Sequence, residues 1–284
     1  MPEGTLRDKV DSFLINRIRR SSDFDMGQSH YHPYYELYYL LSGKCRMFIN
    51  HTIYYVSPGD IILIPPSLLH KAVYGSSRAA ERYNVSFTAP YISFFQENTA
   101  PNTLSQLFDQ HKLSIPPSHQ PHIEELFARL TREFHSSDAY SAIQCKSGLT
   151  QLLVSLCRCW QQSQSLMSQV PQQLEQGDEA IQAAAHYIYQ CHQEPLTLES
   201  AAEVAHMSPT YFSRKFKHVT GFGFKEYLTH VRIQNGARLL ADTSLSVTEV
   251  ALACGFSDGN YFGDAFKKAK GMSPNQFRKA QKMV

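Results

Sequence analysis

The sequence predicts an α+β protein: an N-terminal antiparallel β-barrel with a helical pair, then a C-terminal all-α domain with two helix-turn-helix units. Short apolar and aromatic runs separated by turn residues fill the first hundred positions. The apolar spacing then becomes helical, and the last hundred residues contain an internal repeat. With 284 residues, the chain is about twice as long as a typical domain, so two domains are expected.

Composition and periodicity divide the chain into four parts. Residues 1–100 are predicted to form the barrel, and residues 101–160 a helical segment for packing or dimerisation. Residues 161–177 are rich in Gln and Ser and contain a proline, which is typical of a linker. Residues 178–284 are predicted to be helical throughout, with breaks at glycine, proline and serine.

The barrel prediction depends on three consecutive runs. They are HPYYELYYLLSG (32–43), KCRMFIN (44–50) and HTIYYVSPGDIILIPP (51–66). Each is apolar or aromatic, and Gly, Asn and Pro stand between them, which favours short antiparallel strands.

Two amphipathic helices are predicted next, over 121–136 and 138–160. One apolar face consists of Ile123, Leu126, Phe127 and Leu130, and the other of Leu149, Leu152, Leu153 and Leu156. Packing on the barrel within one chain and packing against a second subunit both agree with this pattern. We expect a homodimer formed through this pair.

Bulk properties limit the location and the partners. The six cysteines are scattered without a CxxC pair and no apolar leader follows Met1, so a reducing, cytoplasmic location is expected. No apolar stretch of about 20 residues occurs, so no membrane partner is expected. The net charge is only +2, but cations cluster in two places, 208–232 and 260–284. Such local clusters favour contact with phosphates.

The internal repeat aligns residues 197–228 with 246–278. In each copy a short helix and a tight turn precede a second helix with a Tyr-Phe pair, a Phe-Lys pair and a closing glycine. Ser208 is a good N-cap, and Phe212 and Phe216 are spaced to face a core. The opposite face of that helix carries Thr210, Ser213, Arg214 and Lys217. A helix divided in this way fits the major groove of DNA.

Residues 178–284 resemble the DNA-binding domain of the AraC/XylS family of bacterial regulators. The resemblance is carried by VRIQNGARLL (231–240), VTEVALACGFSDGNYF (247–262), FKKAKGMSP (266–274) and Phe277-Arg278. It implies two recognition helices in successive major-groove segments of double-stranded DNA. The implied base-facing residues are Thr210, Ser213 and Arg214 in the first helix and Asn260, Gly263 and Asp264 in the second. Lys217, Lys267 and Lys268 are then expected to contact the DNA backbone.

One position departs from the family pattern. Asp264 stands where many members have Arg, and Gly263 beside it offers no side chain. An acid there repels phosphate, although it can accept a hydrogen bond from cytosine N4. Pairing of Asp264 with Lys267 or Lys268, without any DNA contact, agrees equally with the sequence. We therefore expect the first recognition helix to dominate specificity and the second to contribute mainly backbone contacts.

The N-terminal part is similar to the cupin pattern over about residues 15–90. The resemblance lies in His30-Tyr31-His32, Glu36, Gly43, Pro58-Gly59-Asp60, Pro65 and His70. Its histidines and glutamate fall where cupins hold metal, and such ligands suit Fe, Mn, Ni or Zn. Three interpretations stay open: structural packing, a polar effector pocket, and a divalent metal site.

For the pocket we predict His30, His32, Glu36, Tyr38 and His70 as effector-binding residues. The tyrosines nearby (Tyr31, Tyr34, Tyr35, Tyr38 and Tyr39) would suit stacking on a sugar face. No cofactor is assigned, and a divalent metal in the barrel stays an alternative.

These features predict a sequence-specific DNA-binding transcription regulator. We expect an effector-responsive activator of carbohydrate or small-metabolite genes that contacts DNA, a small molecule and, as an activator, RNA polymerase. No catalytic residues are predicted. The rivals are a cupin oxygenase or isomerase with a DNA-binding appendage, and an effector-independent factor whose barrel only oligomerises.

Overall fold

The computed structural model describes residues 12–20, 31–74, 79–166 and 177–281. The chain divides into two compact units, Met1–Gln173 and Leu174–Val284. Their boundary falls in the segment 161–177 that we predicted as a linker. A helix that starts at Ser141 continues to Leu166, because Gln and Ser are tolerated in helices, and residues 167–176 lie outside the described residues.

The first unit contains two antiparallel sheets. The strands are β1 (Phe13–Arg20), β2 (Tyr35–Ser42), β3 (Cys45–Ile49), β4 (Thr52–Val56), β5 (Asp60–Ile64), β6 (His70–Val73), β7 (Ala80–Phe87) and β8 (Lys112–Ser114). One sheet has the order β1-β7-β2-β5-β8, and the other has the order β4-β3-β6. The predicted antiparallel, cupin-like fold is confirmed. Among the described strands the two sheets are not closed into one hydrogen-bonded barrel, so the form is a jelly-roll-like sandwich.

Alternation along the strands gives the five-stranded sheet two buried faces. On β2, Leu37 and Tyr39 belong to a core outside the sandwich, whereas Tyr38 and Leu40 belong to the core between the sheets. On β7, Tyr83 and the apolar residues that follow at every second position face the outer core. Side chains at the intervening positions therefore face the sandwich interior.

Helices cover the outer face of this sheet. After a 3-10 turn (Ala89–Ile92) the chain forms α1 (Ser93–Glu97), α2 (Thr103–Phe108), α3 (Gln120–His135) and α4 (Ser141–Leu166). Both predicted apolar faces, on α3 and α4, are buried in the outer core within one chain. Tyr140 and Ile143 stay exposed at the start of α4. The homodimer remains a prediction.

The segment 101–160 is not purely helical. Strand β8 lies in it and pairs with β5 through Asp60, Ile61 and Ile62, so the sheet extends beyond residue 100. A strand of three residues is too short to show an alternating pattern in the sequence.

The second unit is all helical, as predicted. Its helices are α5 (Asp178–Gln190), α6 (Leu198–Val204), α7 (Pro209–Thr220), α8 (Phe224–Asp242), α9 (Val247–Ala253), α10 (Gly259–Lys270) and α11 (Pro274–Gln281). Helix α8 connects the two repeats along the chain, and its residues join a core with α9 and α10. In the described residues, no helix combines the length and the apolar character that a bilayer crossing requires.

The repeat is visible in the backbone of the second unit. Helix α6 begins with a capping box between Thr197 and Ser200, and α9 begins with one between Ser246 and Glu249. The turn after each helix contains a residue with positive φ, His206 (52°) and Gly255 (84°) respectively. Glycines with positive φ then end both α7 and α10. Two copies of one helix-turn-helix backbone therefore stand in series along the chain.

Candidate functional site

Helices α7 and α10 each bury one stripe and expose another. Phe212 and Phe216 of α7 and their counterparts Phe262 and Phe266 of α10 are all completely buried. The residues predicted to face DNA lie at positions i, i+3, i+4 and i+7 of each helix, which is one stripe of a helical surface. They are Thr210, Ser213, Arg214 and Lys217 on α7, and Asn260, Gly263, Asp264 and Lys267 on α10, with Lys268 beside the latter.

None of these nine described residues is buried. Ser213 and Gly263 are partly covered and the other seven are exposed. Both stripes are therefore available to a partner, and they occupy the same positions of the two repeats. Their role as DNA contacts remains a prediction.

The two helices start from different N-caps. The Ser208 side chain accepts a hydrogen bond from the backbone N–H of Tyr211 at the start of α7. The Asp258 carboxylate accepts two, from the backbone N–H groups of Asn260 and Tyr261, at 2.8 Å each. These caps fix the first turn of each helix, which is the turn that a recognition helix inserts most deeply.

Three cations of the predicted basic clusters have structural partners. Arg232 donates from Nε to the His192 carbonyl oxygen at 2.7 Å and from Nη2 to that of Glu194 at 2.8 Å. Arg278 donates to the carbonyl oxygens of Leu240 and Leu245. Lys215 lies 3.9 Å from the buried carboxylate of Asp178. The clusters thus contain fewer cations for phosphate than the sequence suggested.

In the first unit, three of the predicted effector residues meet at one carboxylate. Glu36 Oε2 lies 3.0 Å from His32 Nε2 and 3.2 Å from His70 Nε2, and both histidines are buried. Burial alone would raise the pKa of Glu36, but its hydrogen bonds to His32 and His70 and their charges hold that pKa well below the usual range. The third predicted histidine, His30, lies outside the described residues.

This cluster fits a divalent metal. The ligand atoms of His32, Glu36 and His70 all lie within 4.8 Å of one another. The Nδ1 atoms of the two rings face the carbonyl oxygens of Tyr34 and Leu68 at 2.9 Å, which is how metal-binding imidazoles are oriented. A neutral ring carries one N–H, so each Nε2 contact with the carboxylate needs a further proton or a shared cation. Effector binding and metal binding therefore both stay compatible with the geometry.

The fifth predicted residue, Tyr38, contacts a different group. Its hydroxyl hydrogen-bonds the Tyr74 hydroxyl, and Tyr74 in turn accepts a hydrogen bond from Arg82 Nη1. The Arg82 guanidinium lies 4.6 Å from the centre of the Tyr38 ring. Sequence reasoning missed Arg82, because an arginine in a strand is usually on the surface.

The tyrosine wall that we predicted for a sugar is not formed by all five residues. Tyr39 faces the outer core, where its ring stacks on Phe127 and its hydroxyl donates to Glu124. Tyr35 packs against the same core and stacks on Phe87. The error follows from strand alternation, since consecutive residues point to opposite faces.

A β-sandwich with a polar buried interior and a paired helix-turn-helix unit define the class of protein: a DNA-binding transcription regulator with a ligand-binding domain. The model of the AraC-like ligand binding domain matches residues 16–153, and a helix-turn-helix domain model matches residues 201–280. The chain belongs to the AraC/XylS family of transcription regulators.

Curated relatives agree with this membership. The uncharacterised regulator YijO of Escherichia coli is 36% identical over 127 residues, which is 45% of this chain and 43% of that relative. The transcriptional activator RhaR of Mannheimia succiniciproducens is 25% identical over 88% of this chain and 86% of its own length. The arabinose operon regulatory protein of Salmonella typhimurium is 29% identical over 78% of this chain and 75% of its own length.

Proposed function

We propose that this protein is an effector-responsive activator of genes for the use of a carbohydrate or another small metabolite. One observation carries the proposal: the chain that presents two matched exposed stripes on helix-turn-helix helices also buries a polar cluster inside a ligand-binding fold. The relatives support both activation and a sugar-related target, since one is named an activator and another is named an arabinose operon regulatory protein.

We assign base reading mainly to the stripe on α7 and DNA-backbone contact mainly to the stripe on α10. Thr210, Ser213 and Arg214 of α7 read base edges, because a guanidinium can bond a guanine in two places and hydroxyls can bond several bases. On α10 the glycine and the acid of the stripe leave Asn260 as the main base-reading side chain. Lys267 and Lys268 then hold the DNA backbone, which contributes affinity without sequence preference.

The effector site is assigned to the sandwich interior. His32, Glu36, Tyr38 and His70, with His30 as a further member, supply hydrogen bonds to a polar small molecule. Differential binding of the effector to the DNA-bound and free forms would couple the two affinities reciprocally. A homodimer and contact with RNA polymerase complete the proposal, since an activator acts on the polymerase.

Selection of DNA from a random duplex library by the full-length protein tests the regulator function. We expect an enriched, non-palindromic site that is bound at least about a thousandfold more tightly than random competitor at moderate salt. The effector role is tested by repeating the titration with compounds from the gene neighbourhood. A protein that prefers no duplex, with or without those compounds, would refute the proposal.

A further inference from the structure

Arg82 is a buried cation that forms no ion pair with any described residue. It lies on β7 with a side chain that is 4% exposed, and it faces the interior of the sandwich. Among the described residues, no carboxylate lies within 4 Å of its guanidinium, which contacts the Tyr74 hydroxyl and the rings of Tyr38 and Tyr74. Its Nε is buried and has no hydrogen-bond partner in the described part of the chain. Buried charges are normally paired, so this arrangement requires a reason.

The acid whose charge acts on Arg82 already has other partners. Glu36 lies close enough to influence Arg82 electrostatically, but its carboxylate contacts the imidazoles of His32 and His70. A second guanidinium is also close. Arg20 follows Ile18 by two residues on β1, and Ile18 is the β7 partner of Arg82, so both arginines belong to the same sheet face. Burial and the charge of Arg82 lower the pKa of Arg20.

A neutral group with spare hydrogen-bonding capacity stands beside Arg82. Asn84 lies two residues further on β7, hence on the same face, and its Oδ1 is buried without a hydrogen-bond partner among the described residues. The strand register places Asn84 opposite Tyr38. The interior therefore offers the N–H of Arg82 Nε, the amide oxygen of Asn84 and the ring of Tyr38 within one patch.

We infer that the effector of this protein is a small hydroxylated anion, whose carboxylate or phosphate group binds Arg82 and whose hydroxyl group binds Asn84. A guanidinium binds such oxygens through charge-assisted hydrogen bonds, and a hydroxyl group can donate a hydrogen bond to the amide oxygen of Asn84. The ring of Tyr38 forms a wall of the same patch. This inference deepens the proposed function, on which it rests, because it names the chemical class of the effector.

The test uses one sugar ring in three charge states: D-galactose, D-galacturonate and D-galactose 1-phosphate, with D-glucose, D-glucuronate and D-glucose 1-phosphate as a second series. Each is added to the full-length protein at matched ionic strength, and Tm is measured. An anion present at 100 times its Kd should raise Tm by about 5–10 °C, and its neutral analogue should not. The carboxylate and phosphate arms show which anion the site takes.

Variants tie the response to Arg82. In Arg82→Gln the Kd for the active anion should rise by about 30-fold or more, while Arg82→Lys should keep part of the response because it keeps the charge. Arg17→Gln is the matched control, since Arg17 lies on β1 but is exposed and paired with Glu81 at 2.9 Å. Its response should equal that of the wild type.

Two results would overturn the inference: a wild-type protein that responds to no anion of either series, or an anion response that Arg82→Gln leaves unchanged. In both cases Arg82 has only a structural role, packing against the rings of Tyr38 and Tyr74. The proposed function fails separately, through the absence of DNA preference in the selection experiment. If a neutral sugar alters the DNA affinity, the effector is not an anion, but the proposed regulator function still holds.

Discussion

Replacing Gly236 with alanine tests how the central helix α8 supports the second helix-turn-helix unit. A Cβ at this position would lie 2.7 Å from Cε2 and 2.9 Å from Cζ of Phe262. The Phe262 ring is fully buried between Phe256 and Phe266, at centroid distances of 5.2 and 5.4 Å, so it has little room to withdraw. Overpacking of this kind costs about 1–3 kcal/mol, against a gain of about 1 kcal/mol for removing a helical glycine. We expect a net loss of about 1 kcal/mol.

Gly263→Ala is the matched control within α10. No atom lies within 4 Å of a Cβ at that position, so only the helix-propensity gain of about 1 kcal/mol remains. The two variants should thus differ by about 2 kcal/mol in free energy of unfolding. Urea unfolding followed by circular dichroism at 222 nm measures this difference.

The single tryptophan separates the two units in that experiment. Trp160 lies on α4 in the first unit, so its fluorescence transition should be the same in the wild type and both variants. A Gly236→Ala protein that is as stable as Gly263→Ala would refute the packing argument. A shift in the Trp160 transition would show instead that the effect is not confined to the second unit.

Three further predictions follow from the second unit. Arg214→Ala should lower the affinity for the selected site by about 1–3 kcal/mol and relax the base preference. Lys267→Ala should instead weaken binding to all duplexes and reduce by about one the slope of log K against log salt concentration. DNA titrations at several salt concentrations measure both effects. Asp258→Ala should lower the free energy of unfolding by about 1 kcal/mol in urea, and Asp258→Ser should restore most of it. Burial and the Lys270 charge lower the pKa of His230 to about 3 in the folded chain. Below the ordinary imidazole pKa of about 6.5, His230 is therefore protonated in the unfolded chain but neutral in the folded chain. Stability should therefore fall by about 2 kcal/mol between pH 7 and pH 5, and His230→Gln should flatten that limb.

The helical half of the fold could be predicted because each of its signals is local. Caps, glycine stops and the apolar spacing lie within a few residues of the helix end that they specify, and the repeat shows them twice. Helix α8, for example, begins directly after Gly223, whose backbone N–H donates to the Glu226 carboxylate three residues further on. Strands are harder, since β7 (AERYNVSF) carries Glu81 and Arg82 among its apolar residues and β8 has three residues in all.

The functional residues divide along the same line. Exposed stripes on helices follow from spacing alone, so the predicted positions on α7 and α10 could be chosen without a structure. Arg232 and Arg278 could not be separated from the phosphate-binding candidates, because their carbonyl partners His192 and Leu240 lie about 40 residues away in the chain. The inward direction of Arg82 likewise depends on which face of β7 packs against the helices, and only the assembled sheet decides that.

Comparison of the two stripes explains why twin units need not read twin sequences. Helices α7 and α10 are offset by 50 residues, so the stripe positions pair as Thr210 with Asn260, Ser213 with Gly263, Arg214 with Asp264 and Lys217 with Lys267. Only the last pair keeps its residue type, and it stands at the end of the stripe to which we assign the phosphate contacts. Equal backbones and equal phosphate contacts would dock both helices in the same way, while the other three pairs present different donors and acceptors to the bases. A chain built like this should prefer a site whose two halves differ, and a symmetric duplex with two copies of either half should bind more weakly than the natural combination.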